Sequence, residues 1–233
     1  MRVRGDLALI SSWITSNSKV LDLGCGDGKL LKLLKKEKNV QGYGVDSDID
    51  KVKSSLDNDI NVLQLDLDDD LSQFDANSFD YVVLAQSLQE IKRPRNLIKE
   101  MLRIGDEIIV SFPNMGHWSS RVQLLFKGIM PITKNLPFKW DETPNIHLCT
   151  IKDFIEFCNK NDFEIIEQLI TDENQKCGFL TKFFPNFFSV NPNKRFACFC
   201  LVGVIDSQHH RLSLIKRRPL MEEFINRTGV SFY

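Results

Sequence analysis

Three carboxylates and a glycine loop are the residues whose types and spacing can do chemistry. Asp22 stands two residues before Gly24, which opens a Gly24-x-Gly26-x-Gly28 run. Asp46 follows 18 residues beyond Gly28, and Asp66 lies between Leu65 and Leu67. Glycines after a strand allow a tight turn and let a ligand approach the backbone closely. A dinucleotide fingerprint would need its third glycine at position 29, where the chain has Lys29. A P-loop would need Ser or Thr after Gly28-Lys29, where Leu30 stands. Asp22 and Asp27 repel phosphate and attract cations. S-adenosylmethionine (SAM) fits that demand, because it carries an ammonium and a sulfonium and no phosphate.

On this reading the cofactor, SAM or its product S-adenosylhomocysteine (SAH), is held by Asp22, Gly24, Cys25, Gly26 and Gly28 on the first loop. Asp46 and Ser47 follow at the end of the second strand, where an acid takes both ribose hydroxyls. Asp66 would accept from the adenine amino group while Leu65 and Leu67 cover the ring, and Ala85 is a further candidate for cofactor binding. Each acid alone equally suits a turn or a cap. The set on successive strands is what carries the argument.

These residues need strands and helices to position them. Lys19–Leu23, Val40–Val45, Ile60–Leu65, Phe79–Leu84 and Glu107–Phe112 read as strands, the fourth apolar throughout and central. Helices are expected on Leu7, Ile10 and Ile14 with Asp6 as cap, over 29–36, over Asp48–Asn58 on Ile49, Val52 and Leu56, and from Pro94 to Gly105. Strict strand–helix alternation predicts a doubly wound parallel α/β sheet. Residues 113–149 break it with four prolines, Trp118, Phe138 and Trp140, around a helix over His117–Lys127. They read as a lid insertion at the ligand-binding edge. Thr150 and Asp153 have the spacing of a capping box. Phe163–Ile170 and Arg195–Ile205 are the last expected strands, and 206–233 is an extension to a domain spanning 1–205.

The chain resembles the class I SAM-dependent methyltransferases. That resemblance implies a Rossmann-like seven-stranded sheet, order 3-2-1-4-5-7-6, with the last strand antiparallel. A narrower likeness rests on Ser78–Gln89, Arg93-Pro94-Arg95, Arg103-Ile104-Gly105, Ile109–Trp118, Met130–Thr133 and Trp140–Thr150. Together these are similar to the MetW family of methionine biosynthesis proteins, over roughly residues 1–170. The likeness implies a bacterial, cytoplasmic protein of the methionine pathway with homoserine O-acyltransferase (MetX) as a candidate partner. Two readings follow: a methyltransferase acting on a small molecule, or a non-catalytic subunit supporting the acyltransferase. The stretch from Gly203 to Tyr233 is not a recognised feature of the family, and its Pro219–Arg227 segment is a candidate helix for a homodimer contact.

For methyl transfer, Gln86 and Ser87 at the end of the fourth strand can orient an acceptor, and His147 is the candidate base ahead of His117. A packing role suits either histidine at least as well. No metal site is expected, since His209-His210 lacks partners at ligand spacing. Six cysteines without a C-x-x-C pair read as reduced thiols. Phe179, Phe183, Phe184, Phe187 and Phe188 have helical spacing. The runs Lys35-Lys36 and Asp68-Asp69-Asp70 read as solvated.

Composition sets the outer bounds. Net charge is −1, with 26% charged and 42% apolar residues, which argues against a disordered chain and against bulk nucleic-acid binding. The longest apolar run, Phe196–Ile205, falls far short of the roughly 20 residues that span a bilayer. The start, Met1 to Asp6, meets an acid too early for a signal peptide. The near-neutral sum conceals residues 41–80, with eleven aspartates against two lysines, and a basic end after residue 176.

Overall fold

A computed structural model describes residues 5–69, 71–133, 136–166, 168–171 and 199–206. Helix α1 (Gly5–Trp13) leads to β1 (Lys19–Leu23), α2 (Lys29–Lys38), β2 (Gln41–Asp46), α3 (Ile49–Asp57), β3 (Asn61–Gln64) and β4 (Phe79–Ala85). A 3-10 turn (Leu88–Glu90) precedes α4 (Pro94–Ile104) and β5 (Gly105–Pro113). Then come α5 (Trp118–Lys127), α6 (Ile151–Lys160), β6 (Gln168–Thr171) and β7 (Phe199–Asp206).

The sheet runs β3-β2-β1-β4-β5-β7-β6. The first five strands are parallel neighbours, with Leu21 opposite both Tyr43 and Val82. β7 pairs antiparallel with β5 and β6. Alternation along each strand splits the core in two. Leu21, Leu23, Val82, Leu84, Ile108 and Phe112 pack with α4 and α6 on one face. Val20, Tyr81, Val83 and Ile109 pack with α1 and α2 on the other. β1 and β4 are buried from both sides, so their loops leave from the middle of the sheet.

Several expectations are revised by packing. Ile49 and Leu56 do not face the core; α3 buries Val52 and Ser55 instead. Its inner face meets the glycine loop, where the Ser55 hydroxyl donates to the Gly26 carbonyl at 2.9 Å. A main-chain carbonyl there needs a hydroxyl more than a leucine. Asp68 is not simply solvated: its carboxylate accepts from the main-chain N–H groups of Lys92 (3.0 Å) and Arg93 (3.1 Å). Asp6 lies inside the first turn of α1 rather than ahead of it, because the helix already starts at Gly5. Gly105 ends α4 in extended conformation and opens β5 directly. Between Phe163 and Ile170, strand begins only at Gln168. The capping box does open α6: Thr150 Oγ1 accepts from Asp153 N–H, and the Asp153 carboxylate accepts from Thr150 N–H. Cys177, Cys198, the phenylalanines from Phe179 to Phe188, His209, His210 and residues 207–233 lie outside the described residues.

Candidate functional site

β1 ends between two parallel neighbours, so its loop inherits a fixed position. Gly24 and Cys25 donate their N–H groups to the Val45 carbonyl at 2.7 and 3.0 Å, tying the loop to β2. Gly26 N–H donates to Asp46 Oδ2 at 2.8 Å. The other oxygen, Oδ1, accepts from Asp48 N–H at 3.0 Å. Asp46 is only 6% exposed, and each oxygen keeps a second lone pair for a ligand hydroxyl. Asp22 is 2% exposed and stands on the strand directly before the loop.

Two glycines show why the loop is bare. A Cβ on Gly24 would fall 2.6 Å from Ser87 Oγ and 4.0 Å from Leu67 Cδ1. Thus β1, the end of β4 and the segment after β3 converge at Gly24. A Cβ on Gly26 would meet no atom within 4 Å, and its φ is +59°. The Gly26 backbone is thus uncrowded by any neighbour and lies beside a buried carboxylate.

The remaining candidates take up distinct positions. Cys25 turns inward against Gly44; burial, reinforced by the charges of Asp22 and Asp46, pushes its thiol up to about 12, so it shapes the loop as a neutral group. Gly28 is the residue before α2. Ser47 is exposed, and its carbonyl accepts from Gln64 Nε2 at 3.2 Å. Asp66 is exposed and holds Asp68 N–H at 2.9 Å, the turn role its type also suits. Leu67 and Ala85 are half-buried. Gln86 has φ +63° and donates through Nε2 to Ser111 Oγ at 3.1 Å, so it is anchored to β5. His117 caps α5, with Nδ1 2.7 Å from Ser119 Oγ. His147 is exposed; its N–H donates to the Gln89 carbonyl at 2.9 Å and its Nε2 lies 3.4 Å from the Lys92 carbonyl. The structure thus gathers Gly24, Gly26, Asp46, Leu67 and Ser87, and sets His147 against the turn after β4.

Glu90 is a group that sequence reasoning missed. It ends the 3-10 turn, and its carboxyl is pushed up by partial burial and by Asp46, against the pull of Lys51. No motif marks it; only its distance of three residues from Ser87 hinted at a shared turn. Among the described residues no group of His, Cys, Asp and Glu is arranged to hold a metal ion, and no helix is long and apolar enough to cross a membrane.

This geometry can be set beside known proteins. The family profile described as methionine biosynthesis protein MetW matches residues 4–193. The chain belongs to the MetW family. A curated relative from Rhodopirellula baltica, the bifunctional methionine biosynthesis protein MetXA/MetW, is 32% identical over 171 residues, 70% of this chain. This MetW chain spans only 27% of that relative's length. Among solved structures, a SAM-dependent methyltransferase from Archaeoglobus fulgidus matches with TM-score 0.60 and 16% identity, over 87% of this chain and 92% of that one. A chain of the complex formed by the Haloferax volcanii Trm112 methyltransferase activator matches with TM-score 0.59 and 17% identity, over 89% and 92%. The [4+2]-cyclase SpnF matches with TM-score 0.57 and 15% identity, over 87% and 79%. At these identities the likeness shows the Rossmann-like methyltransferase fold alone, and the cyclase marks how far chemistry varies on it.

Proposed function

We propose that this MetW protein binds SAM and acts in methionine biosynthesis as a methyltransferase toward a small molecule. The observation that carries the reading is the tie between Asp46 and Gly26, with open space at the Gly26 Cα. In this assignment Asp46 takes the ribose hydroxyls, with Ser47 beside it. The backbone of Gly24, Cys25, Gly26 and Gly28 lies along the amino-acid part, and Asp22 supplies negative charge behind the loop. Asp66, Leu67 and Ala85 flank the adenine. SAM supplies an electrophilic methyl group. The chain's own task is to orient the acceptor and exclude water, for which Gln86 and His147 on the β4 side are the candidates. The fold reading that accompanies it is the class I arrangement 3-2-1-4-5-7-6 over residues 1–205, with 113–149 as a lid and 206–233 as an extension.

Titration calorimetry with SAM and with SAH tests the assignment. Binding is expected, and Asp46→Ala should weaken it by about tenfold or more, roughly 1.4 kcal/mol. Folded protein that binds neither compound overturns the reading.

A second reading is favoured by one observation: the Rhodopirellula relative carries MetXA and MetW in one chain. In it this chain binds homoserine O-acyltransferase and supports its activity, with SAM as a sensed metabolite. Copurification with the acyltransferase of the same organism, and its rate with and without this protein, is the test. Absence of both a complex and a rate change removes this reading.

A further inference from the structure

Buried polar groups are almost always hydrogen-bonded, and each exception has a physical cause. Such exceptions gather on the turns that follow β4 and β5. Gln89 is 8% exposed and Asn114 4%. Gln89 Nε2 donates to the Gln86 carbonyl at 2.6 Å, and Asn114 Oδ1 accepts from Gly116 N–H at 2.9 Å. Those bonds fix which arm of each amide is which, because a carbonyl needs a donor and an N–H an acceptor. The other arms, Gln89 Oε1 and Asn114 Nδ2, are buried with no hydrogen-bond partner among the described residues. Trp118 Nε1, on the first residue of α5, is in the same state.

The two turns are tied to each other twice. At the strand ends, Gln86 N–H donates to the Ser111 carbonyl at 2.9 Å, and Gln86 Nε2 to Ser111 Oγ at 3.1 Å. Further along, the Gln89 carbonyl accepts from the N–H groups of Ile146 and His147 at 2.8 and 2.9 Å, while the Cys149 carbonyl accepts from Met115 N–H at 3.0 Å. One short segment, 146–149, thus joins the turn of Gln89 to that of Asn114. Both turns leave the carboxyl ends of neighbouring parallel strands, the edge at which open α/β sheets take their ligands.

We infer that Gln89 Oε1, Asn114 Nδ2 and Trp118 Nε1 form a subsite for a hydroxyl group of the small molecule on which the protein acts. The inference rests on the first reading above and deepens it by naming the class of that molecule, an alcohol. The match of donors to acceptors carries it. The three atoms offer one acceptor and two N–H donors. A hydroxyl has one O–H and two lone pairs, and answers all three with nothing left over. A carboxylate has no proton for Gln89. An ammonium has no lone pair for Asn114 or Trp118, and a carboxamide leaves an N–H unanswered. All three protein groups are uncharged, which suits a neutral ligand group better than a buried ion. The subsite binds and orients the hydroxyl and moves no proton.

The test uses the isotope-labelled full chain, in which nitrogen–proton NMR reads the side-chain N–H groups of Asn114 and Trp118 directly. L-serine, lactamide and ethanolamine are titrated beside L-alanine, propionamide and ethylamine, which carry hydrogen in place of the hydroxyl, each with and without SAH. At least one alcohol should shift the Asn114 Nδ2 and Trp118 Nε1 signals, and its analogue should not. Trp118→Phe and Asn114→Asp each remove one N–H donor, and the aspartate keeps the oxygen that accepts from Gly116. Each should weaken that alcohol about fivefold or more, with thermal unfolding as in wild type. Trp118→Phe, which keeps a ring, decides the matter if Asn114→Asp melts early. An alcohol and its analogue acting alike overturns the hydroxyl assignment, and unchanged affinity in the folded variants overturns the subsite. So does the absence of any response in SAH-bound protein, which means that water or the rest of the chain satisfies the three atoms. Folded protein that does not bind SAH removes the first reading, and the inference falls with it.

Discussion

Gly24 and Gly26 carry the same side chain and different constraints. Both have left-handed φ, +72° and +59°. Alanine in that region costs about 1–2 kcal/mol at either position. At Gly24 the added methyl also meets Ser87 Oγ. Gly24→Ala should therefore be destabilised beyond the backbone cost, and Ser87→Gly should recover part of it, read as a non-additive double-mutant cycle in urea. Strict additivity would deny the contact. At Gly26 no protein atom is in the way. Gly26→Ala should lose SAM affinity by about tenfold or more, measured by calorimetry on folded protein. Retained affinity would mean that the ligand does not approach there. The sequence exposes three glycines and an acid at the right spacing, because turn chemistry is local. It does not separate Gly24 from Gly26, because Ser87 comes from another strand.

The elements differ in how local their causes are. Thr150 and Asp153 cap α6 as their spacing predicts, since a capping box closes within four residues. Thr150→Ala should cost about 1 kcal/mol, seen as a fall of about 2–4 °C in melting temperature. A melting temperature unchanged by Thr150→Ala would mean that the cap carries no weight. Helix α3 shows the opposite case. Its apolar periodicity points to Ile49, Val52 and Leu56, yet Ser55 is the residue buried beside Val52, because the glycine loop lies against that face. Asp68 reads as one of a solvated run until Lys92 and Arg93 arrive from across the sheet. Asp68→Ala should speed amide hydrogen exchange at Lys92 and Arg93 selectively; exchange as slow as in wild type would show those bonds to be dispensable.

Burial on the scale of the whole molecule makes its stability depend on alkaline pH. The thiols of Cys25, Cys149 and Cys158 are each pushed by burial from 9.0 to about 12. Above pH 9 the unfolded chain loses these protons while the folded one keeps them. Their contribution is thus intact below that point and declines as pH rises toward 12. Urea midpoints should fall across that window, and less steeply once the three are replaced by alanine. A slope indifferent to the replacement would sink the assignment. By itself the sequence determined the parallel α/β plan, the glycine loop with its acids, and the cap of α6. Those depend on periodicity and on residues a few positions apart. Only the tertiary structure decided that Asp46 grips Gly26, that Ser87 and Leu67 stand over Gly24, that Glu90 comes within electrostatic reach of Asp46, and that the apolar side chains after β5 lie exposed. Each of these depends on which strands become neighbours, and burial, unlike periodicity, is a property of the whole packed chain.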